Sequence, residues 1–417
     1  MYVLKGVPMD LANVVKLKLN IDDDTGLAFY ETAYQYMLAC NDVSQYVFDH
    51  DFELNSVTLS KILYKHIRET FGLKSQMVQS AIRTVTARYK AVETQLSKKP
   101  YKIKSADRQL RFTRTLDWLM KPIRFNRPQV DLVRNRDYSF VKDSDGNEVL
   151  SINTLGNRIK VSFEKPAYFD KFLNGGFKFG TAKLVQMKGI WYLHISATKD
   201  VTEIDREGVK CVVGIDRGLR FLETTYDSNG RTAFVDGRRI LAKRHKFDVV
   251  RAELQSKGTK SAKRALKRIS GRENRWMSDA NHQLSKALVN KYGEGTLFVL
   301  EDLEDVSTDE RNLHSKGQSH DLRNWAFYDL ENKLGYKALA SGCKVLKVDA
   351  DYTSQRCPHC GRILKANRNH KTHTYTCDKC GFTTNDDRIG AMNIWLLGTL
   401  WVTGDDNPSF KVKTAKA

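Results

Sequence analysis

The sequence predicts a multidomain α+β protein whose C-terminal half holds an α/β domain. Three observations support this fold class. Apolar residues recur every three or four positions over residues 27–92, as in helices. Short alternating segments separated by glycine-containing turns fill residues 121–199, as in antiparallel sheets. From residue 211 onward, short apolar strands alternate with helical segments, which is typical of an α/β core.

The N-terminal half begins with a strand, because residues 14–19 alternate apolar and basic side chains. The helical block follows a polar break at residues 22–25, and a basic connector at residues 98–114 ends it. A small antiparallel barrel fits residues 121–199. The N-terminal strand could pair into this barrel, in which case the helical block is an insertion.

The chain is strongly basic, with a formal net charge of +20 from 69 Lys and Arg against 49 Asp and Glu. This excess suits a polyanionic partner such as nucleic acid, although a merely solvated basic surface would give the same count. The densest basic segment has helical spacing, and we expect it to contact a nucleic-acid backbone rather than to be only a solvated hairpin. Its candidate contact residues are Lys243, Arg244, Lys246, Lys260, Lys263, Arg264, Lys267, Arg268, Arg272 and Arg275.

Four of the seven cysteines form two Cys-x-x-Cys pairs with sixteen residues between them. Two such pairs can close one tetrahedral thiolate site, so we expect one structural Zn²⁺ ion. Its ligands are Cys357, Cys360, Cys377 and Cys380. The other cysteines read as small buried side chains, which favours a reducing compartment. Because we find no signal peptide and no membrane-spanning apolar run, we expect a cytoplasmic, nucleoid-associated protein of a prokaryotic cell without a membrane partner.

Three carboxylates stand where strands end or a helix begins. Asp216 follows an apolar strand, Glu301 follows another, and Asp387 opens a helix just after the ribbon. Taken singly, each carboxylate has a simpler explanation. Asp216 could be a turn residue, Glu301 part of an acidic turn, and Asp387 a helix N-cap, a role that Asp386 could equally fill. Their conjunction predicts phosphodiester hydrolysis by two Mg²⁺ ions, which requires several carboxylates converging on one point.

In the motifs around these carboxylates and cysteines, the sequence resembles the transposon-encoded TnpB family and its relatives, the small type V CRISPR effector nucleases. The match is strong over residues 206–402, whereas the N-terminal half matches only in layout. Gly390 stands where the family usually has Ala, which keeps that position small. The residues that carry the resemblance are Gly214-Ile215-Asp216-Arg217-Gly218, Leu300-Glu301-Asp302-Leu303, Trp325, Phe327, Leu330, Tyr336-Lys337-Ala338, Tyr352-Thr353-Ser354-Gln355, the four cysteines and Asp387-Arg388-Ile389-Gly390-Ala391-Met392-Asn393-Ile394.

The resemblance implies an RNase H-like (RuvC) α/β nuclease domain with an inserted zinc ribbon, plus an N-terminal β-barrel wedge domain with a helical recognition insertion. It implies that Asp216, Glu301 and Asp387 are the catalytic residues that bind two Mg²⁺ ions. Its implied partners are a guide RNA and a target double-stranded DNA carrying a short flanking motif. The implied boundaries are 1–24 for the first wedge strand, 25–118 for recognition, 119–205 for the wedge barrel, 206–352 and 386–404 for the nuclease, 353–385 for the ribbon and 405–417 for a polar tail.

The leading interpretation is therefore an RNA-guided DNA endonuclease of TnpB type, associated with a transposon. A small type V CRISPR effector with the same chemistry is the first alternative, since the two differ in the source of the guide. A nuclease-inactive guided repressor is a second alternative, but it would be expected to lack one or more of the three carboxylates. A strand-joining transposase or a resolvase would not need the long basic N-terminal half.

Overall fold

The computed structural model describes residues 7–98, 100–104, 109–218, 220–302, 327–369 and 371–411. Leu303 and Trp325, which contribute to the predicted resemblance, lie outside the described residues. The chain divides into two compact units, Ala12–Lys199 and Asp200–Ala417 with Met1–Leu11. Within the described ranges, no helix is both long enough and apolar enough to cross a bilayer.

The predicted helical block of the first unit consists of three helices. They are α1 (Asp23–Asp49), α2 (Ser56–Phe71) and α3 (Ser75–Ser97). The side chains of Asp22 and Asn55 accept hydrogen bonds from backbone N–H groups in the first turns of α1 and α2. Gly72 ends α2 in the left-handed conformation, with a φ of 63°. These caps break one continuous periodic pattern into separate helices.

The same unit contains a seven-stranded sheet that includes the N-terminal strand. Its order is β4-β8-β9-β1-β7-β6-β5, and β1 runs antiparallel to β7. The helical block is thus inserted between strands of one sheet, as the sequence allowed. The strands are β1 (Val7–Asn20), β4 (Gln129–Leu132), β5 (Tyr138–Lys142), β6 (Glu148–Ile152), β7 (Ile159–Glu164), β8 (Lys178–Met187) and β9 (Ile190–Glu203).

Two further segments of this unit differ from the sequence expectation. The basic connector contains a short antiparallel hairpin, β2 (Tyr101–Lys104) with β3 (Gln109–Phe112). A short helix, α4 (Phe169–Asn174), precedes the glycine turn before β8. Both segments are too short and too polar for a periodic apolar pattern to reveal them.

The second unit is built on a five-stranded sheet of order β12-β11-β10-β13-β14. Strand β10 runs parallel to β13, and β13 runs parallel to β14, whereas β11 and β12 are antiparallel additions. This mixed arrangement agrees with the predicted α/β core. The strands are β10 (Cys211–Asp216), β11 (Phe221–Asp227), β12 (Thr232–Asp236), β13 (Thr296–Glu301) and β14 (Lys344–Val348).

Helices cover both faces of this sheet. One face packs against α7 and α8 through a core that includes Leu288 and Leu334, and the other packs against α9 through Ile394 and Leu397. Gly214 of β10 allows the closest approach, because a Cβ atom there would lie 2.3 Å from the carbonyl oxygen of Ala391. The helices are α5 (Arg238–Lys257), α6 (Lys260–Ile269), α7 (Arg272–Tyr292), α8 (Phe327–Ala340) and α9 (Asp386–Val402).

A three-stranded antiparallel sheet lies between β14 and α9 in the chain. It comprises β15 (Arg368–Asn369), β16 (Thr374–Thr376) and β17 (Thr383–Asn385), and β17 continues directly into α9. The residues after α9 are more than a polar tail as far as they are described. Phe410 lies under the Arg356 guanidinium at 4.5 Å, and Lys411 pairs with Asp349 at 2.7 Å.

Candidate active site and zinc ribbon

The fold brings the three predicted carboxylates to one edge of the second sheet. Parallel pairing of β10 and β13 places Ile215 opposite Leu300, so Asp216 and Glu301 follow side by side. Helix α9 carries Asp387 in its first turn. It passes so close to β10 that a Cβ atom on Gly390 would lie 2.8 Å from Asp216 Cγ. The glycine at this position therefore leaves room for the Asp216 carboxylate beneath the helix.

The carboxylates lie in an environment that disfavours their ionised forms. Burial raises the pKa of Asp216 well above its ordinary value, and the negative charges of Glu301 and Asp387 raise it further. Burial also raises the pKa of Glu301, which a hydrogen bond from Thr353 partly offsets. For Asp387, burial comes first and the neighbouring Asp386 charge second in raising the pKa. Together they form a partly buried cluster of carboxylates that repel one another when ionised.

Two arginines offset part of this negative charge. Arg368 of β15 donates from Nε to Asp386 Oδ2 at 3.0 Å and from Nη2 to Asp387 Oδ1 at 3.2 Å. Arg217 donates from Nη2 to the backbone oxygen of Glu301 at 2.6 Å. The oxygen-only donor set of the cluster suits Mg²⁺ ions, since hard divalent cations prefer carboxylate ligands and would relieve the repulsion.

The structure separates the roles of the two adjacent aspartates. Asn385 is the helix N-cap, because its Oδ1 accepts hydrogen bonds from the backbone N–H groups of Asp387 and Arg388 at 3.0 and 3.1 Å. Neither aspartate is therefore needed as a cap. Asp386 is 1% exposed, and its Oδ1 lies 3.5 Å from His373 Nδ1, so it ties the ribbon to α9. Asp387 keeps a 20% exposed side chain that can face a ligand.

The four ribbon cysteines converge as a metal site requires. Their sulfur atoms all lie within 4.8 Å of one another, with Cys357–Cys380 at 3.6 Å and Cys360–Cys377 at 3.5 Å. A tetrahedral zinc site with Zn–S bonds near 2.3 Å would place sulfurs about 3.8 Å apart, so the thiolate donor set fits Zn²⁺ in chemistry and size.

Matching backbone turns hold the two cysteine pairs. The N–H of Gly361 bonds to the Cys357 carbonyl at 3.0 Å, and that of Gly381 bonds to the Cys377 carbonyl at 3.0 Å. Both glycines have positive φ angles, of 75° and 71°, which a residue with a Cβ adopts only with strain. His359 stacks on Phe382, with ring centroids 4.2 Å apart.

Nine of the ten candidate nucleic-acid contacts are exposed on α5, α6 and the start of α7. Arg244 differs, because it is 3% exposed and pairs with Glu273 at 3.5 Å. Its guanidinium joins α5 to α7 and is not presented to a phosphate backbone, which corrects the sequence expectation for this residue. Sequence periodicity alone could not distinguish it from Lys243, which lies exposed over the Trp276 ring at 4.5 Å.

The sequence motifs include Arg217 and Thr353 but assign neither of them a contact with the carboxylates, and they do not place Arg368 at the site. Arg217, Thr353 and Arg368 each bond to a carboxylate residue or to its backbone. Arg217 could have been suspected because it directly follows Asp216. The other two come from the ribbon or its base, and no spacing in the sequence places them beside residues so distant in the chain.

Two protein-family models match segments in the C-terminal half of the chain. Residues 195–304 match a family described as "Probable transposase", and residues 327–394 match the "Cas12f1-like, TNB domain". The first range contains Asp216 and Glu301, and the second contains Asp387 with the four cysteines. All the residues of the candidate site therefore fall within the matched ranges.

Curated relatives point to the same group of proteins. The chain is 26% identical over 351 residues to the CRISPR-associated endodeoxyribonuclease Cas12f1 of Sulfoacidibacillus thermotolerans, covering 78% of each chain. It is 25% identical over 262 residues to a TnpB-like protein of Methanocaldococcus jannaschii, covering 60% of this chain and 91% of that protein.

A solved structure shares the fold. The Cas12f1 chain in a cryo-EM structure of a Cas12f1–sgRNA–target DNA complex aligns with a TM-score of 0.60 at 15% identity, over 89% of this chain and 82% of that one. The resemblance to the TnpB family and its type V CRISPR relatives, predicted from the sequence, is confirmed by these comparisons.

Proposed function

We propose that this chain, a relative of the TnpB and Cas12f1 proteins, is an RNA-guided DNA endonuclease of TnpB type. The observation that carries the proposal is the convergence of Asp216, Glu301 and Asp387 at one sheet edge, beside a four-cysteine ribbon. Relatives named as endodeoxyribonucleases and the "Probable transposase" family match support a nuclease. The intact carboxylates argue against a guided repressor that has lost its nuclease.

The proposed reaction is hydrolysis of DNA phosphodiesters. Asp216, Glu301 and Asp387 would hold two Mg²⁺ ions, which when bound activate the attacking water and stabilise the leaving oxygen. The chain's own contribution is to fix these ligands. Gly390 leaves space for the Asp216 carboxylate, Arg217 holds the backbone at Glu301, and Arg368 lies against Asp387.

We also propose a zinc site, domain boundaries and a cellular location for this endonuclease. Cys357, Cys360, Cys377 and Cys380 hold a structural Zn²⁺ ion that orders the ribbon over residues 353–385. Residues 206–352 and 386–404 form the nuclease, residues 119–205 with 1–24 form a wedge barrel, and residues 25–118 form a recognition insertion. We propose a cytoplasmic, nucleoid-associated location for the complex.

The proposed partners are a guide RNA and a target double-stranded DNA. The relative of known structure was solved with sgRNA and target DNA, which supports this pairing. Exposed basic residues of α5 and α6 provide a surface for phosphate contacts. Sequence recognition would come from base pairing with the guide, while the protein reads a short flanking motif and duplex shape.

A small type V CRISPR effector is the second candidate, because the Cas12f1 relative matches over 78% of the chain. The two candidates share the nuclease and differ in where the guide is encoded. Sequencing the RNA that copurifies from cells carrying the native locus separates them. A guide that extends from a transposon end favours the first candidate, and a guide with array repeats favours the second.

The decisive experiment presents the purified RNA complex with Mg²⁺ and DNA that matches the variable end of the bound RNA. We expect cleavage of matched DNA and no cleavage of mismatched DNA. The Asp216→Asn complex should bind RNA and DNA as the wild type does without cutting. Cleavage that ignores the RNA sequence, or an Asp216→Asn complex that still cuts, would contradict the proposal.

A further inference from the structure

The main chain at Glu301 is fixed from two sides. Strand β13 pairs with β14, so that Glu301 lies opposite Val348, and the next backbone N–H, of Asp302, donates to the Val348 carbonyl at 2.8 Å. On the other side, Arg217 Nη2 donates to the Glu301 carbonyl at 2.6 Å. The position of the backbone is therefore set, and the remaining freedom of this residue is in its side-chain torsions.

Arg217 itself is held firmly. Its side chain is 1% exposed, and its Nη1 lies 3.3 Å from Glu331 Oε2 on α8. The other oxygen of Glu331 pairs with Lys347 at 2.5 Å, and the Phe327 ring faces the guanidinium at 5.6 Å. Such a buried and shared guanidinium is a rigid donor, because moving it would leave charged groups without their hydrogen bonds.

Thr353 contacts the carboxylate itself. Its Oγ1 lies 2.5 Å from Glu301 Oε1 and 2.9 Å from the Ala350 carbonyl oxygen. A hydroxyl has one proton to donate, and a carboxylate is a stronger acceptor than a neutral carbonyl. The proton therefore goes to Glu301, and one of its two oxygens is oriented by this hydrogen bond while the other is left for a ligand.

Thr353 is in turn fixed by the helix that carries Asp387. It is 2% exposed, and Asn393 of α9, which is fully buried, donates from Nδ2 to the carbonyls of Thr353 at 2.8 Å and Arg356 at 2.7 Å. Residues 353–356 form the base of the ribbon, directly before Cys357. One buried amide therefore joins the ribbon base, α9 and the Glu301 carboxylate into a single hydrogen-bonded assembly.

We propose that Thr353 is a positioning residue: its hydroxyl, anchored through Asn393, orients Glu301 for divalent-cation binding and couples the ribbon base to the metal site. This proposal rests on the proposed nuclease function and adds a role for a residue that acts through Glu301. Groups that orient metal ligands typically contribute about 10-fold to 100-fold in metal affinity or activity. The hydroxyl of Thr353 has the location and the partners for that role.

The test compares Thr353→Val, which keeps the shape but removes the donor, with Thr353→Ser, which keeps the donor. In the RNA-loaded, zinc-containing complex, we expect Thr353→Val to raise the Mg²⁺ concentration for half-maximal cleavage about tenfold or more. Affinity for RNA and for matched DNA should stay at the wild-type value. Thr353→Ser should restore the Mg²⁺ requirement to within about threefold of wild type.

Thr399→Val is the matched control, since that hydroxyl lies on α9, the helix that carries Asn393. Among the described residues, it bonds to the Trp395 carbonyl one turn earlier, at 3.1 Å. The variant should leave the Mg²⁺ requirement unchanged. Direct Mn²⁺ binding, followed by electron paramagnetic resonance, provides a readout that does not depend on cleavage. Thr353→Val should weaken Mn²⁺ binding at the site that Asp216→Asn also weakens.

The outcomes separate this proposal from the proposed function. A wild-type complex that binds Mn²⁺ at Asp216 but does not cut DNA refutes the nuclease, and the Mn²⁺ affinities still decide the role of Thr353. Equal Mn²⁺ affinity and equal Mg²⁺ requirement in Thr353→Val and wild type would overturn the positioning role. So would a Thr353→Ser variant as impaired as Thr353→Val.

Discussion

At the scale of single residues, the carboxylates that suit the candidate site for metal-dependent catalysis also lower the stability of the folded protein. Asp216, Glu301 and Asp387 are partly buried carboxylates whose pKa values are all raised, first by loss of solvation. A raised pKa means that the folded state favours the protonated form, so keeping these groups ionised at neutral pH costs folding free energy. A divalent cation would offset that cost, which is why the arrangement is typical of metal-dependent catalysis.

This cost predicts an unusual effect of Asp216→Asn without divalent cations. The native state binds more protons than the unfolded state above the ordinary aspartate pKa of 3.8, so wild-type stability falls as pH rises through the raised pKa values. The amide removes the charge, so at neutral pH the variant should be more stable by about 1–2 kcal/mol. Near pH 4 the difference should vanish.

Denaturant unfolding at pH 4 and pH 7.5, in zinc-containing and magnesium-free buffer, measures this difference. Asp279→Asn, at an exposed position of α7, is the control and should change stability little at either pH. Added Mg²⁺ should stabilise the wild type more than the Asp216→Asn variant. A variant that is less stable than the wild type at pH 7.5 would contradict the electrostatic account of the site.

The sequence could predict the three carboxylates because each follows or opens a regular element with a clear apolar pattern. It could not predict Arg368 or Thr353 at the site, since their contacts join residues 19 and 52 positions apart through tertiary structure. The burial of Arg244 could not be predicted from the sequence either, because its exposed basic neighbours share its helical spacing. Partners that fix a site are thus harder to infer than the ligands themselves.

At the scale of elements, the site depends on how closely α9 approaches β10. Gly214 permits this close approach because it has no side chain: a Cβ atom there would lie 2.3 Å from both Ala391 O and Trp395 N. These are backbone atoms within a helix and cannot move aside individually. Gly214 therefore sets the height of α9 above the sheet, and with it the distance from Asp387 to Asp216.

Gly214→Ala should destabilise the second unit by about 1–3 kcal/mol and reduce cleavage, because α9 must move away from the sheet. Gly335→Ala is the matched control on α8, where an added Cβ would meet nothing within 4 Å. It should be neutral or stabilising by up to about 1 kcal/mol, as alanine favours helix. Thermal unfolding and cleavage rates measure both, and equal behaviour of the two variants would refute the close-approach argument.

Element boundaries were less predictable than element types. The periodic helical block of the sequence is three helices because Asn55 and Gly72 interrupt it with a cap and a left-handed turn. The β2–β3 hairpin lies within a segment read as a connector, where basic residues conceal any alternation. In contrast, the cysteine spacing alone identified the ribbon, since metal ligation fixes geometry regardless of the surrounding pattern.

At the scale of the whole molecule, the net charge of +20 suits a polyanionic partner. Part of the excess lies on α6, where Lys260, Lys263 and Lys267 are exposed at spacings that place them near one face. Charges that neutralise phosphates release counterions, so their contribution appears in the salt dependence of binding. The part that α6 plays in binding can therefore be measured by changing its charge.

Replacing Lys260, Lys263 and Lys267 together with Gln should weaken guide-RNA or duplex binding and flatten its salt dependence. The slope of log affinity against log salt should fall by about 0.7–0.9 for each phosphate that these side chains no longer neutralise. Titrations at several KCl concentrations measure it. Arg244→Gln should instead lower stability and leave the slope unchanged, because Arg244 is buried against Glu273. An unchanged slope in the triple variant would remove α6 from the interface.

The central claim is that Asp216, Glu301 and Asp387 share a pair of divalent cations, and anomalous diffraction from Mn²⁺-containing crystals of the RNA-loaded complex tests it most directly. The account predicts two manganese peaks about 3.5–4 Å apart, each within bonding distance of at least one of these carboxylates. Anomalous density that lies elsewhere, while the three carboxylates bind no manganese, would contradict it.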